Sequence, residues 1–276
     1  MPMTPRASSP RPRSAECTSQ GGQAVVRGSR AAETVQGRDG AIVVKKPQGL
    51  TSHDVVERIR DAFATRRVGH TGTLDPMAEG VLIILIGAAT RFQREFQGHH
   101  KCYEALIQFG TQTDTGDAWG RPIRTMPVPP LQREQVEAVL SSFLGTLTQV
   151  PPAFSAVKVE GRPLYWWTRR GITKSAPART VTITSLDLLD LGSSTIRVRL
   201  TCSAGTYMRT LAEACAERLG TVGHVSQLVR LAVGPWNLSQ AHELAWIEQL
   251  APEARWELLQ RVNATTWQSS SSAAGR

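Results

Sequence analysis

An α+β fold, a mixed sheet with helices packed on it, is what this sequence predicts. Three observations carry the prediction. Strand-like and helix-like segments are interspersed without a regular βαβ beat. The apolar stretch Ala78 to Gly87 reads as a fully buried element, and the longest apolar run, Val81 to Ala89, is far too short to span a bilayer. The 276 residues, 41% hydrophobic and 20% charged, suffice for a real core and exclude wholesale disorder.

Residues 1–39 are rich in Ser, Pro, Gly, Ala and Arg, show no apolar periodicity, and set six arginines against three acids. They read as a disordered basic extension; the same composition also fits an organellar targeting peptide. Order begins near Ala41, where Ala41 to Val44 reads as a buried strand ended by the Lys45-Lys46-Pro47-Gln48-Gly49 turn. Thr51 or Ser52 can cap a helix carrying Val55, Val56, Ile59, Ala62 and Phe63 on one face. A glycine-punctuated loop, Gly69 to Pro76, leads into the buried stretch Ala78 to Gly87.

Tyr103 to Phe109 alternates as a strand does, Thr111 to Gly120 is a polar turn-rich loop, and Leu131 to Leu144 has helical periodicity. Residues 149–180 are proline-bracketed, basic and aromatic, with Trp166 and Trp167 among Lys158, Arg162, Arg169 and Arg170. Strands are expected at Val181 to Leu191 and Thr195 to Cys202, and helices from Thr206 to about Leu219 and from about Val222 to Leu231. An amphipathic segment, Ala241 to about Val262, precedes a Ser/Ala tail.

Lys and Arg number 32 against 23 acids, a net charge of +9, which suits a polyanionic partner. Cys17, Cys102, Cys202 and Cys215 have no CxxC spacing and no histidine at ligand spacing, so a disulfide scaffold and a zinc site are disfavoured and a reducing compartment is expected. The densest cluster of special residues is Gly69 to Leu82, GHTGTLDPMAEGVL. Its glycines indicate backbone that approaches something closely. Asp75 before Pro76 is held out of the helical region, which suits either a turn aspartate or a presented catalytic carboxylate. No GK[ST] ending and no GxGxxG is present, so a nucleotide cradle is unsupported.

Six segments in order resemble the TruB family of tRNA pseudouridine synthases: Lys46 to Ser52 (KPQGLTS), Gly69 to Leu82, Lys101 to Tyr103 with Gly110 to Asp117 (GTQTDTGD), Pro151 to Tyr165 (PPAFSAVKVEGRPLY), Cys202 to Thr210 (CSAGTYMRT), and Gly223 to Leu231 (GHVSQLVRL). The resemblance implies a catalytic domain over 40–250 with the pseudouridine synthase fold, a mostly antiparallel curved sheet flanked by helices. Residues 149–180 would be an insertion clamping the RNA, and no C-terminal RNA-binding domain of the PUA type would follow in 251–276. It implies isomerisation of the T-loop uridine-55 of tRNA, in the cytoplasm, by a monomer needing no cofactor, metal or guide RNA.

The resemblance also assigns roles. Asp75 is the catalytic carboxylate, acting at C6 of the base or at the anomeric carbon, and Arg209 is its partner. The target base must leave its stack to be reached. Tyr103 stacks on it, His70 supports the opened RNA loop, Tyr207 and Leu228 line the pocket, and Lys46 and Asp114 are polar groups around it. The residues alone also suit plainer roles: Tyr103 and Leu228 as core, His70 as a loop histidine. Two positions depart from the family pattern: Trp166-Trp167 replaces a polar residue and a tyrosine, and Val229 stands where many members carry arginine.

Overall fold

A computed structural model describes residues 39–262; the N-terminal extension up to residue 38 and the C-terminal tail from residue 263 lie outside the described residues. The chain opens with β1 (Gly40–Lys46), whose side chains are buried almost throughout. Helix α1 (Ser52–Ala62) follows because Thr51 accepts from the Asp54 amide while Asp54 accepts from the Thr51 amide, a reciprocal cap. Its face of Val55, Val56 and Ile59 packs under the sheet with Ile42, Val44, Leu82 and Ile84.

Next come β2 (Val68–His70), β3 (Glu79–Ile86), α2 (Gln93–Gln97) and β4 (Lys101–Phe109). The polar loop after β4 contains a small hairpin, β5 (Thr111–Thr113) and β6 (Pro122–Thr125). Helix α3 (Arg133–Ser141) leads to β7 (Gly145–Gln149). The proline-bracketed basic segment forms the two-residue strands β8 (Lys158–Val159) and β9 (Arg162–Pro163), capped by the short helix α4 (Leu164–Thr168). Then follow β10 (Arg179–Leu191), β11 (Thr195–Cys202), α5 (Met208–Arg218) and β12 (Gly223–Val233). The chain closes with β13 (Trp236–Asn237), β14 (His242–Glu243), α6 (Leu244–Gln249) and α7 (Pro252–Glu257).

Ten strands make one sheet in the order β14-β1-β3-β12-β4-β11-β10-β7, with β2 on β3 and β13 on β12. Only the β1–β14 and β3–β12 pairings are parallel, so the sheet is mixed and mostly antiparallel, as expected. Helices α3 and α5 pack on the β4–β11–β12 half over a core of Tyr103, Ala105, Ile107, Val198, Leu200, Leu211 and Cys215.

Two expectations need correction. Val222 to Leu231 is not a helix but most of β12, the strand that joins the β1–β3 half of the sheet to the β4–β11–β10 half. Val225, Leu228 and Leu231 recur at helical spacing because β12 carries irregularities at 225–227 and 230–232, which break the alternation a strand normally shows. The segment Ala241 to Val262 is not one amphipathic run but two short helices, since Ala251 before Pro252 is extended and Pro252 starts a new helix.

Candidate active site

The loop from Thr71 to Ala78 is held from two sides. On one side, the KPQGLTS segment leaving β1 grips its backbone: the Gly49 amide donates to the Pro76 carbonyl (2.9 Å) and Gln48 Nε2 to the Met77 carbonyl (2.9 Å). Ser52 Oγ receives the Leu74 amide (2.8 Å) and donates to the Leu74 carbonyl (3.1 Å). Arg230 of β12 holds the other side. Its guanidinium donates to the carbonyls of Val81 (2.7 Å), Thr73 (3.2 Å) and Gly72 (3.1 Å). Gly80 is required at this junction: its φ is +115°, and a Cβ there would stand 2.2 Å from the Arg230 carbonyl oxygen. The turn at the loop's apex is closed by the Ala78 amide donating to the Asp75 carbonyl (3.0 Å).

Asp75 is thereby presented on a fixed turn, its side chain 28% exposed, against an arginine that is only 4% exposed. Arg209, in the first turn of α5, donates Nε to Asp75 Oδ2 (2.9 Å) and Nη2 to Oδ1 (3.1 Å), a bidentate pair. Its remaining donors reach the carbonyl of Thr115 (2.9 Å) and that of Phe154 (3.0 Å). One buried guanidinium therefore ties together the Asp75 loop, the loop before the β5–β6 hairpin turn, and the start of the basic insertion. Gly116, at φ +76°, lets its loop come close, since a Cβ would lie 3.1 Å from the Arg209 Cβ. A second acid, Asp117, stands 4.0 Å from Arg209 Nε and is fixed by Thr115 Oγ1 (2.8 Å) and the Trp119 amide (3.0 Å).

Tyr103 projects from β4 on the same face as Leu228 and Arg230, all three buried, and packs in the core that includes Leu74 and Met77 of the loop. Burial pushes its phenol pKa up, so it stays protonated at neutral pH beside the Arg230 guanidinium. Tyr207 caps α5; its amide and carbonyl are both bridged by the Gln149 side chain (2.9 and 3.3 Å), and burial raises its phenol pKa too. His70 ends β2, half-buried, with Nδ1 accepting from the Gly72 amide (3.2 Å). Burial and the nearby Arg230 charge lower its pKa, so the neutral ring is favoured.

Lys46 is fully buried and serves the backbone: Nζ donates to the carbonyls of Leu50 (2.6 Å) and Pro47 (2.8 Å), with Pro76 at 3.5 Å. Asp114 is not brought to the cluster. It is exposed, and its Oδ1 accepts from the Arg121 amide (2.8 Å) across the hairpin loop. Val229 points to the opposite face of the sheet from Leu228 and Arg230, opposite Glu104 and Glu79. Sequence reasoning missed Arg230, Asp117 and Gln149. Of these, Arg230 left a trace: a lone cation in an otherwise apolar run. Among the described residues no group of three or more His, Cys, Asp or Glu side chains is placed to hold a metal ion, and no helix is long and apolar enough to cross a membrane.

Residues 60–208 match the description TruB family pseudouridylate synthase (N terminal domain). The chain is 42% identical over 226 residues to the tRNA pseudouridine synthase B of Aromatoleum aromaticum, covering 82% of this chain and 73% of that protein. The chain belongs to the TruB family. A second relative, the tRNA pseudouridine synthase B of Geobacillus kaustophilus, is 44% identical over 222 residues, covering 78% of each chain. In three dimensions this TruB-family chain resembles the crystal structure of a Cbf5–Nop10–Gar1 complex, with a TM-score of 0.61 and 27% identity. That likeness covers 80% of this chain and 60% of the other.

Lys46 gives the family's first motif a measurable pH signature. Desolvation lowers its pKa from 10.5 to about 8. Between these values the folded chain has shed a proton that the unfolded chain still holds, so raising the pH across this window favours the folded state. Relative to Lys46→Met, the unfolding free energy of the parent should rise by about 1–2 kcal/mol from pH 8 to pH 10.5. Denaturant unfolding of both proteins at the two ends of the window measures it; a constant difference would mean the ammonium is not desolvated.

Proposed function

We propose that this chain isomerises uridine-55 in the T-loop of tRNA to pseudouridine, with Asp75 as the reacting carboxylate and no guide RNA. The observation that carries the reading is the Asp75–Arg209 pair: a carboxylate open to solvent, locked in a bidentate grip by a buried arginine. Its identity of 42–44% with proteins named tRNA pseudouridine synthase B supports tRNA as the substrate. A net charge of +9 suits a polyphosphate partner met in the cytoplasm.

The reaction breaks the N1–C1′ glycosidic bond, turns the uracil, joins C5 to C1′, and loses the C5 proton to solvent while N1 gains one. Atoms and electrons balance without redox chemistry. Attack by a carboxylate oxygen, or stabilisation of an oxocarbenium ion, requires Asp75 ionised after the base has displaced water. The bidentate Arg209 fork holds both carboxylate oxygens in place for either role. The uridine must be turned out of the RNA to reach Asp75. In that position Tyr103 offers a ring to the uracil, Tyr207 and Leu228 flank it, and neutral His70 stands at the entrance without adding charge beside Asp75.

Incubation of purified protein with unmodified tRNA transcript, followed by mapping of modified sites, tests the reading. Pseudouridine at position 55 without any added RNA or protein is the expected result. Modification that appears only when a guide RNA is supplied would instead make the chain guide-dependent.

A further inference from the structure

The buried charges of the site do not balance. Among the described residues the one buried acid is Asp117, while Lys46, Lys101, Arg209 and Arg230 are all buried cations. Both carboxylates at the centre, Asp75 and Asp117, stand against Arg209. Among the described residues the other three cations meet backbone carbonyls and no carboxylate. Lys46 donates to those of Pro47 and Leu50, Lys101 to those of Gln97 and His99 (both 2.6 Å), and Arg230 to those of Gly72, Thr73 and Val81. We propose that Arg230, backed by Lys46 and Lys101, holds a fixed positive field beneath the base pocket that stabilises the uracil ring while it carries negative charge.

Structure alone does not need these charges. On the other side of the same loop, the carbonyls of Leu74, Pro76 and Met77 are held by neutral donors: Ser52 Oγ, the Gly49 amide and Gln48 Nε2. A cation taken out of water without a counter-ion is costly, so a neutral donor would serve a purely structural purpose better. The chemistry does need them. When the N1–C1′ bond breaks, its electron pair stays on the uracil; attack by Asp75 at C6 instead leaves an enolate on the ring. By either route the ring is negative beside Asp75 until C5 has joined C1′, N1 has gained a proton and C5 has lost one. A preorganised positive charge in a buried site stabilises such a state with no solvent to reorganise.

Strand register puts the charge where the ring would lie. Arg230 of β12 is the direct cross-strand partner of Tyr103 of β4, and both are buried. The Arg230 charge acts on the Tyr103 phenol and on Lys46, Lys101 and His70, which makes it the centre of the group. The other titratable groups around it favour their neutral forms. Burial pushes the Cys202 thiol of β11 up to about 11, raises the Tyr103 phenol and lowers His70 of β2. The charged neighbours of Arg230 are therefore Lys46 from β1 and Lys101 from β4. Asp54 from α1, Asp75 from the loop and Glu79 from β3 act on Lys46, and Asp75 also acts on Tyr103.

The inference rests on the proposed function, and its test keeps the two apart. Single-turnover rates on saturating tRNA transcript, and tRNA retention on filters, are measured from about pH 6.5 to about pH 9.5 for the parent, Arg230→Gln and Arg230→Lys. Arg230→Gln keeps donors for the loop carbonyls but no charge. Its rate should stand about 30-fold below the parent's at every pH, with tRNA binding unchanged. Arg230→Lys sets an ammonium beside two others in a desolvated site, which depresses its pKa. Its rate should lie within about fivefold of the parent's at the acid end, and the ratio should fall toward that of Arg230→Gln as pH rises. The sign separates a field from a scaffold. Shedding that proton in the folded chain makes Arg230→Lys more stable as pH rises, so a rate limited by folding or loop order would climb. A ratio for Arg230→Lys that is flat or rising with pH overturns the inference, even where Arg230→Gln does not fold. Equal rates for the two variants at the acid end overturn it as well. A parent that makes no pseudouridine in tRNA overturns the proposed function and this inference together.

Discussion

Changing Asp75 to asparagine is expected to reduce pseudouridine formation by about 10⁴-fold, the scale on which loss of an essential reacting group is felt. The substitution is nearly isosteric. The amide oxygen can still accept from Arg209 Nε, and the guanidinium keeps the carbonyls of Thr115 and Phe154 and the nearby Asp117 carboxylate. The fold and the tRNA-binding surface should therefore survive, which separates loss of chemistry from loss of structure. What disappears is the negative charge, and with it both attack on the nucleotide and stabilisation of a cationic sugar. Release of tritium from tRNA labelled at C5 of uridine reads the chemistry, and retention on a filter reads the binding. Tritium release persisting at the parent's rate would remove Asp75 from the reaction.

How far the chain could be read before its structure was known depended on whether a feature was local. The α1 cap needs only Thr51 and Asp54, three residues apart, and β4 announces itself by alternation from Tyr103 to Phe109. Strand β12 misled because its irregularities at 225–227 and 230–232 erase the period of two, while its neighbours β3 and β4 come from chain more than a hundred residues away. The site divides in the same way. Asp75 and Arg209 stood out because the motifs GHTGTLDP and GTYMRT surround them. The acceptors that hold Arg209 are backbone carbonyls of Thr115 and Phe154, and a carbonyl is present at every position, so no residue type marks them. Asp114 and Asp117 lie in one short motif with similar credentials. Only the fold of the loop sends Asp114 to the Arg121 amide and Asp117 toward Arg209.

Arg209 is the position where loss of one side chain should be felt in both stability and chemistry. Arg209→Met leaves the Thr115 and Phe154 carbonyls without their donor and strips Asp75 of its counter-charge. Removing one partner of a buried pair typically costs 3–5 kcal/mol; because Asp75 is partly solvated, about 3 kcal/mol is expected. For a domain of this size that is a fall in melting temperature of roughly 6–12 °C. The chemical effect should be larger than a simple loss of folded protein, since at temperatures where the variant is fully folded kcat should still fall about 10²–10³-fold. Arg209→Lys separates charge from geometry. A lysine restores a cation near Asp75 but offers a point charge in place of a planar fork, and it cannot serve both carboxylate oxygens and two carbonyls from separate segments at once. Much of the activity loss should therefore persist in the lysine variant. With the Phe154 carbonyl released, residues 149–180 should also become more sensitive to limited proteolysis in both variants. A lysine variant with the parent's kcat would show that the forked contact contributes nothing beyond its charge. An insertion as resistant to protease as the parent's would show that Arg209 does not anchor it.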